Sequence, residues 1–254
     1  MSYSKPIGVF DSGLGGISVL RALKKLMPCE NYIYFADRRN APYGSRPDSE
    51  IIQLTRNGIG YLSRFGCKAT VIACNTATSV AAEILRREYS DCIIIGLEPA
   101  IKPAINKYPD GSVLVLATPV TIEHKKFINL LASLDGHSVV ALAAPKLVSY
   151  VESDTVSSGE CLNYLRSLFA EYSSLRFDAC VLGCTHFPFA KNTIVSALGY
   201  TPEFFDGALG AAHHLKRVLK SENMLCKSDT SGYVLWNELY SNGLNRKLLY
   251  GNYN

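Results

Sequence analysis

The feature that most constrains the fold of this chain is a rhythm of short apolar runs that occurs twice. The first half carries "IGVFDS" (7–12), "NYIYFAD" (31–37), "ATVIACNT" (69–76) and "CIIIGL" (92–97), each bounded by polar or glycine residues. The second half carries "SVLVLAT" (112–118), "SVVALAA" (138–144), "ACVLGCT" (179–185) and "PEFFDG" (202–207). Each later run lies about 105–110 residues after its counterpart, a constant offset that marks a duplicated unit. Helical patterns such as "GISVLRALKKLM" and "CLNYLRSLFAEY" lie between the runs. Strand alternating with helix predicts an α/β fold of two pseudo-symmetric domains, each a mainly parallel sheet flanked by helices. The chain is expected to cross to the second domain near Glu98 and Pro99 and to return near Asp206. That gives residues 1–98 plus 208–254 as the first domain and 99–207 as the second, with the active site in the cleft between them.

The third runs align best. "VIACNTA" falls on "VLGCTHF", so Cys74 falls on Cys184; in the first runs Ser12 falls on Thr118. Ligands of open parallel sheets sit at the carboxyl ends of the strands, and both cysteines are at such ends. Two related domains facing each other would therefore place a thiol on either side of one substrate. A tetrahedral carbon attacked from opposite faces needs one group to take a proton and another to return it, and a thiolate and a thiol fit that task in both directions. A thiol's ordinary pKa of about 8.5 falls near a cation or a helix N-terminus. "NTATSVAAEIL" and "THFPFAKNTIV" read as helix starts whose free N–H groups hold a carboxylate and favour a thiolate. Asn75, Thr76, Thr185 and Ser12 add polar side chains. His186, two positions from Cys184, is placed as an acid–base partner, and Asp11 closes the first run.

Other functions are less well served. The eight cysteines (Cys29, Cys67, Cys74, Cys92, Cys161, Cys180, Cys184, Cys226) form no C-x-x-C pair, and 254 residues with 48% apolar content is no disulfide scaffold. Most of them read as core filler; Cys74 and Cys184 differ in being followed at once by polar groups. No apolar run is long enough to span a membrane, the start reads as a strand and not a signal peptide, and a cytoplasmic protein with no membrane partner is expected. A net charge of +4 from scattered basic residues gives no nucleic-acid footprint. Without a Walker lysine or a full G-x-G-x-x-G, no nucleotide site is expected. Adjacent His213 and His214 do not share a helix face, so no metal site is read there. "DRRNAPYGSRP" (37–47) has a surface-loop composition, with a turn around Pro42 and Gly44. Glu152, read from the residues alone, belongs on a solvated helix face, and Asp11 doubles as a candidate helix cap.

The residues leave alternatives open. One is a thiol hydrolase with Cys184 as nucleophile and His186 as base. Another is a non-catalytic binder of acidic amino acids. A third is a zinc site from Cys74, Cys184 and His186, whose local spacing is not that of a structural zinc motif.

The segments "GVFDSGLGG" (8–16), "APYGSR" (41–46), "ACNTAT" (73–78), "LVSYVE" (147–152) and "LGCTHFP" (182–188) together resemble the glutamate racemases, of the cofactor-independent aspartate/glutamate racemase superfamily. The resemblance spans about residues 7–210. It implies two-base interconversion of L- and D-glutamate without cofactor or metal, supplying D-glutamate for bacterial peptidoglycan, by a homodimer. It implies that Cys74 takes the proton from the D-isomer and Cys184 from the L-isomer, with Asp11 assisting Cys74, and Glu152 and His186 assisting Cys184. Asp11, Ser12, Tyr43, Gly44, Asn75, Thr76, Thr185 and His186 match substrate contacts, as do Thr118 and Thr121. The sequence departs from the pattern at Ala144, in "ATPVTIEHKKF" (117–127), at "DGA" (206–208) and in the tail, which bears on substrate selectivity: aspartate or another small acid is the alternative substrate.

Overall fold

The structure is a computed structural model that describes residues 5–134, 136–228, 230, 232–236 and 248–249, so much of the divergent tail (237–247 and 250–254) lies outside the described residues. Eight strands coincide with the eight apolar runs: β1 (Ile7–Asp11), β2 (Tyr32–Ala36), β3 (Ala69–Ile72), β4 (Ile93–Gly96), β5 (Ser112–Ala117), β6 (Ser138–Ala143), β7 (Ala179–Gly183) and β8 (Glu203–Asp206). A ninth, β9 (Val234–Trp236), comes from the tail. They form two sheets, ordered β4-β3-β1-β2-β9 and β6-β5-β7-β8. Every pairing is parallel. Reversed, the second order is β8-β7-β5-β6, which is β4-β3-β1-β2 advanced by four. The sequence repeat is therefore a repeat of topology.

Parallel strands need crossover helices, and these bury both faces of each sheet. In the first sheet side chains alternate. Ile7, Val9, Ala69 and Val71 face α1 (Ile17–Leu26), whereas Phe10 and Ile72 face α2 (Asp48–Ser63) and α3 (Asn75–Glu88). Helix α1 presents Ile17, Val19, Leu20 and Leu23 to that core, with the lysines of its last turn facing the negative end of its dipole. In the second sheet Val113, Val115 and Val181 face α4 (Ile101–Lys107) and α6 (Lys125–Ala132), which follows the short α5 (Pro119–Glu123). Leu114, Leu116 and Leu182 face α7 (Pro145–Glu152), α8 (Gly159–Phe169) and α9 (Lys191–Leu198). Helix α8 is capped by Ser158, whose Oγ accepts the Cys161 N–H at 3.2 Å.

The chain leaves the first sheet after β4 and reaches β5 through Glu98–Pro99 and α4. After β8 it enters α10 (Ala208–Ser221), which lays Ala208, Ala212, Leu215 and Leu219 into the core beside α1. The two crossings touch: a Cβ at Gly207 would collide with the Glu98 carbonyl oxygen. His213 and His214 lie exposed on α10, as a solvated face requires. No helix among the described residues is long and apolar enough to cross a membrane.

Candidate active site

Strands β1 and β3 of one sheet and β5 and β7 of the other deliver their carboxyl ends to a common, buried interface. Cys74 follows β3 as the N-cap of α3, its Sγ accepting the Ala77 N–H at 3.4 Å and the Ser12 hydroxyl at 3.4 Å. Cys184 follows β7, but no α-helix begins there. A 3-10 turn over Phe187–Ala190, with Pro188 as its second residue, follows instead, and α9 starts only at Lys191. Where α3 offers Cys74 the Ala77 N–H, Cys184 has an imidazole: His186 Nδ1 lies 3.7 Å from Cys184 Sγ.

Behind that imidazole is a carboxylate. His186 Nε2 meets Glu152 Oε1 at 2.7 Å, and the same oxygen accepts the Leu14 N–H at 2.6 Å. Glu152 closes α7, so the solvated face expected for it from its local sequence is in fact the cleft. The glycine tract after Asp11 makes the approach possible. A Cβ at Gly13 would strike Glu152 Oε1, and one at Gly15 would strike His186 Nδ1 and Thr185 Oγ1. Asp11 is fully buried, accepting the Gly13 N–H at 2.8 Å and the Thr185 hydroxyl at 3.1 Å. Asp11 therefore acts on Cys74 by its charge, while the hydroxyl of Ser12 holds that thiol directly. Ser18, on α1, donates to the Thr185 carbonyl at 3.0 Å and ties this loop to the first sheet's unit.

A second group closes the other side. Thr76 Oγ1 is 2.9 Å from Thr118 Oγ1, which is 2.9 Å from Thr121 Oγ1. Gly44 lies against Thr118, and its carbonyl accepts the Val120 N–H at 3.3 Å. Tyr43 is buried, its hydroxyl donating to Asp37 at 2.6 Å. Arg39, Pro42, Ser45 and Pro47 lie exposed, as the surface-loop reading expects, while Tyr43 and Gly44 turn inward as a strap. Asn75 donates from Nδ2 to the Leu97 carbonyl at 3.4 Å, while its buried Oδ1 finds no partner among the described residues. The predicted site residues thus converge on this interface. Sequence reading missed Asp37, Ser18 and Arg38, which lie in or beside these contacts.

The electrostatics differ at the two thiols. Burial pushes the Cys74 thiol up to about 12, and the charge of Asp11 adds to the rise against the hydrogen bonds of Ser12 and Ala77. Burial also lifts Asp11 to about 6, although His186 and the Gly13 and Gly16 N–H groups oppose it. At His186 burial disfavours the imidazolium, but hydrogen bonds and charge from Cys184 and Glu152 outweigh it and hold the ring well above its ordinary value. Burial likewise opposes the Glu152 carboxylate. Its bonds to His186 and Leu14, with the charge of Arg38, nonetheless keep it below the usual range. Cys74 is thus a thiol in a carboxylate's field, and Cys184 faces a cation.

No cluster among the described residues has the makings of a metal site. A cavity of about 800 Å³ lies at the chain crossings, lined by Arg86, Pro99, Lys102, Asp206 and His214 among others; of the predicted site residues only Thr121 reaches it. A smaller cavity of about 450 Å³, between Arg38, Ala41 and Pro42 on one side and Val148, Ser149 and Glu152 on the other, opens beside the thiol site.

The sequence matches the Asp/Glu/hydantoin racemase family over residues 18–214. A glutamate racemase of Clostridium perfringens is 44% identical over 249 residues, covering 96% of each chain. Among solved structures, glutamate racemase from Francisella tularensis in complex with D-glutamate superposes with a TM-score of 0.82 at 25% identity, over 98% of this chain and 94% of that one. The Thermus thermophilus enzyme in complex with β-chloro-D-alanine gives 0.78 at 30% identity, with the same coverage.

Proposed function

This chain belongs to the Asp/Glu/hydantoin racemase family, as a glutamate racemase, and from that premise we propose that it inverts glutamate by a two-thiol, two-base proton transfer. The observation that carries the reading is the pair Cys74 and Cys184 at equivalent strand ends of two repeated sheets, in one buried interface.

Starting from L-glutamate, Cys184, as a thiolate paired with the His186 imidazolium that Glu152 holds, takes the α-proton and becomes a thiol. Cys74, held as a thiol, returns a proton to the opposite face. From the D-isomer the roles reverse: Cys74 passes its thiol proton to Asp11, whose carboxylate burial makes more basic, takes the α-proton as a thiolate, and Cys184 as a thiol returns one to the opposite face. The developing negative charge on the substrate is met by N–H and hydroxyl donors at Ser12, Asn75, Thr76 and Thr185, in a site closed to water. The unpartnered Asn75 Oδ1 suits the substrate ammonium, and Tyr43, Gly44, Thr118 and Thr121 complete the enclosure. The reaction needs no cofactor in this account. Residues 1–98 with 208–254 form one unit and 99–207 the other, and opening between them admits substrate. The product D-glutamate serves peptidoglycan synthesis in the cytoplasm, made by a homodimer.

The test is the circular dichroism of D-glutamate, L-glutamate and both aspartate isomers incubated with the protein in buffer containing EDTA and no pyridoxal phosphate. Signal loss with both glutamate isomers supports the reading. Change with aspartate alone corrects the substrate, and silence in all four rejects it.

A further inference from the structure

Arg38 stands just after β2, in the 3-10 turn Arg38–Asn40. Its side chain leaves the first sheet's unit and crosses the cleft. Nε donates to Glu152 Oε2 at 2.9 Å, and Nη2 donates to the Glu152 carbonyl oxygen at 3.3 Å. The fork therefore binds both the carboxylate and a free carbonyl at the end of α7, where a cation is favoured. Glu152 divides its two oxygens: Oε2 faces the guanidinium, and Oε1 faces His186 Nε2 and the Leu14 N–H. With Oε2 pinned, Oε1 cannot turn from the imidazole. A lysine would supply charge but not two donors in a plane.

We propose that Arg38 is a positioning residue for the Cys184 face of the reaction, acting through Glu152 to hold His186 against Cys184. The inference rests on the racemase reading above and extends it to a residue 114 positions from Glu152 in sequence. Arg38 works by fixing the rotamer and the ionisation of the carboxylate behind the imidazole. It also couples catalysis to closure, since the contact exists only when the loop after β2 meets α7. The pair borders the 450 Å³ cavity, with side chains 19% and 16% exposed, so a small cation from solvent can reach the place of the guanidinium.

The experiment compares wild type, Arg38→Ala, Glu152→Gln and the double variant, using L- and D-glutamate with hydrogen or deuterium at Cα. Arg38→Ala is expected to lower kcat/KM by about 10- to 100-fold, the range of coupling between groups in one network. The deuterium isotope effect should grow with L-glutamate more than with D-glutamate, because only the Cys184 step is slowed. Added guanidinium, but not sodium at equal ionic strength, should restore part of the rate. In the Glu152→Gln background, Arg38→Ala should change the rate by less than about twofold. The same comparison with Arg38→Lys serves where the alanine variant does not fold. An unchanged rate in Arg38→Ala, an equal loss in both backgrounds, or no response to guanidinium overturns the proposal. A wild-type protein inactive on glutamate removes the racemase reading itself, whereas an active one indifferent to Arg38 removes only this inference.

Discussion

Thr76 and His186 occupy equivalent places in the two sheets, each two residues beyond a buried cysteine. The register fixes the equivalence: Phe10 lies opposite Ile72 in one sheet, as Leu116 lies opposite Leu182 in the other. From these common points Cys74 corresponds to Cys184, and Thr76 to His186. The duplication makes the thiols symmetric, and this substitution, with Asp11 standing where the second unit has Ala117, makes them different. Thr76 turns to the hydroxyls of Thr118 and Thr121, whereas His186 bridges Cys184 to Glu152. The result is one thiol near a carboxylate and one near a cation, which a two-base inversion requires.

The first prediction tests that asymmetry. His186→Asn should lower kcat/KM by about 10²- to 10⁴-fold, as loss of an acid–base partner does. The fall must be equal in both directions, because the equilibrium constant of a racemisation is unity. The directions separate in the isotope effect: α-deuterated L-glutamate should show the larger one, measured by competing labelled and unlabelled substrate. Equal effects from both isomers would contradict the pairing of His186 with Cys184.

Asp11 gives a prediction about stability. Its pKa is raised by burial from 3.8 to about 6, so between these values the native state holds a proton that the unfolded chain has lost. Stability then falls as pH rises through that window. The loss is about 3 kcal/mol, fully expressed above pH 6. Asp11→Asn should be free of this term. Urea unfolding from pH 4 to pH 8 should show the variant gaining on wild type by about 3 kcal/mol, while losing activity. A difference that does not vary with pH would show that Asp11 ionises in the folded protein as it does in the unfolded one.

Gly44 tests the strap. A Cβ there would lie 2.7 Å from Thr118 Cβ and 2.8 Å from its Cγ2, too close for either unit to keep its place. Gly44→Ala should leave the melting temperature near that of wild type, because each unit keeps its own core, yet lower kcat/KM by about 10²-fold through misplaced closure. Full activity would remove the Gly44–Thr118 contact from the account.

The strands and the aligned thiols were legible because buried parallel strands must be continuously apolar, and a repeat in sequence repeats the fold. What lay outside local pattern was not. β9 is three residues long and is made a strand by pairing with β2, about 200 positions away in the chain. Arg38 and Glu152 carry charges in segments whose composition reads as solvated, and contacts across the cleft, with each other and from Glu152 to His186 and Leu14, take them out of solvent. The helix expected at Thr185 is displaced to Lys191 by the turn at Pro188, which is what leaves His186 free to face Cys184. Even Gly13 and Gly15 of "DSGLGG" show their purpose only when Glu152, Thr185 and His186, from the second sheet's unit, fill the space they leave.

The central claim is that one thiol removes the α-proton and the other supplies its replacement. The most direct measurement is the reaction of unlabelled D-glutamate in deuterated buffer, stopped at low conversion, with both isomers recovered and their α-positions read by mass spectrometry. Two thiols on opposite faces predict L-glutamate carrying deuterium from the first turnover, because the donating thiol has exchanged with solvent, and D-glutamate that remains unlabelled. Product that retains the substrate's own hydrogen, or deuterium in the recovered D-glutamate at the same rate as in product, would mean a single base serving both faces and would contradict the account.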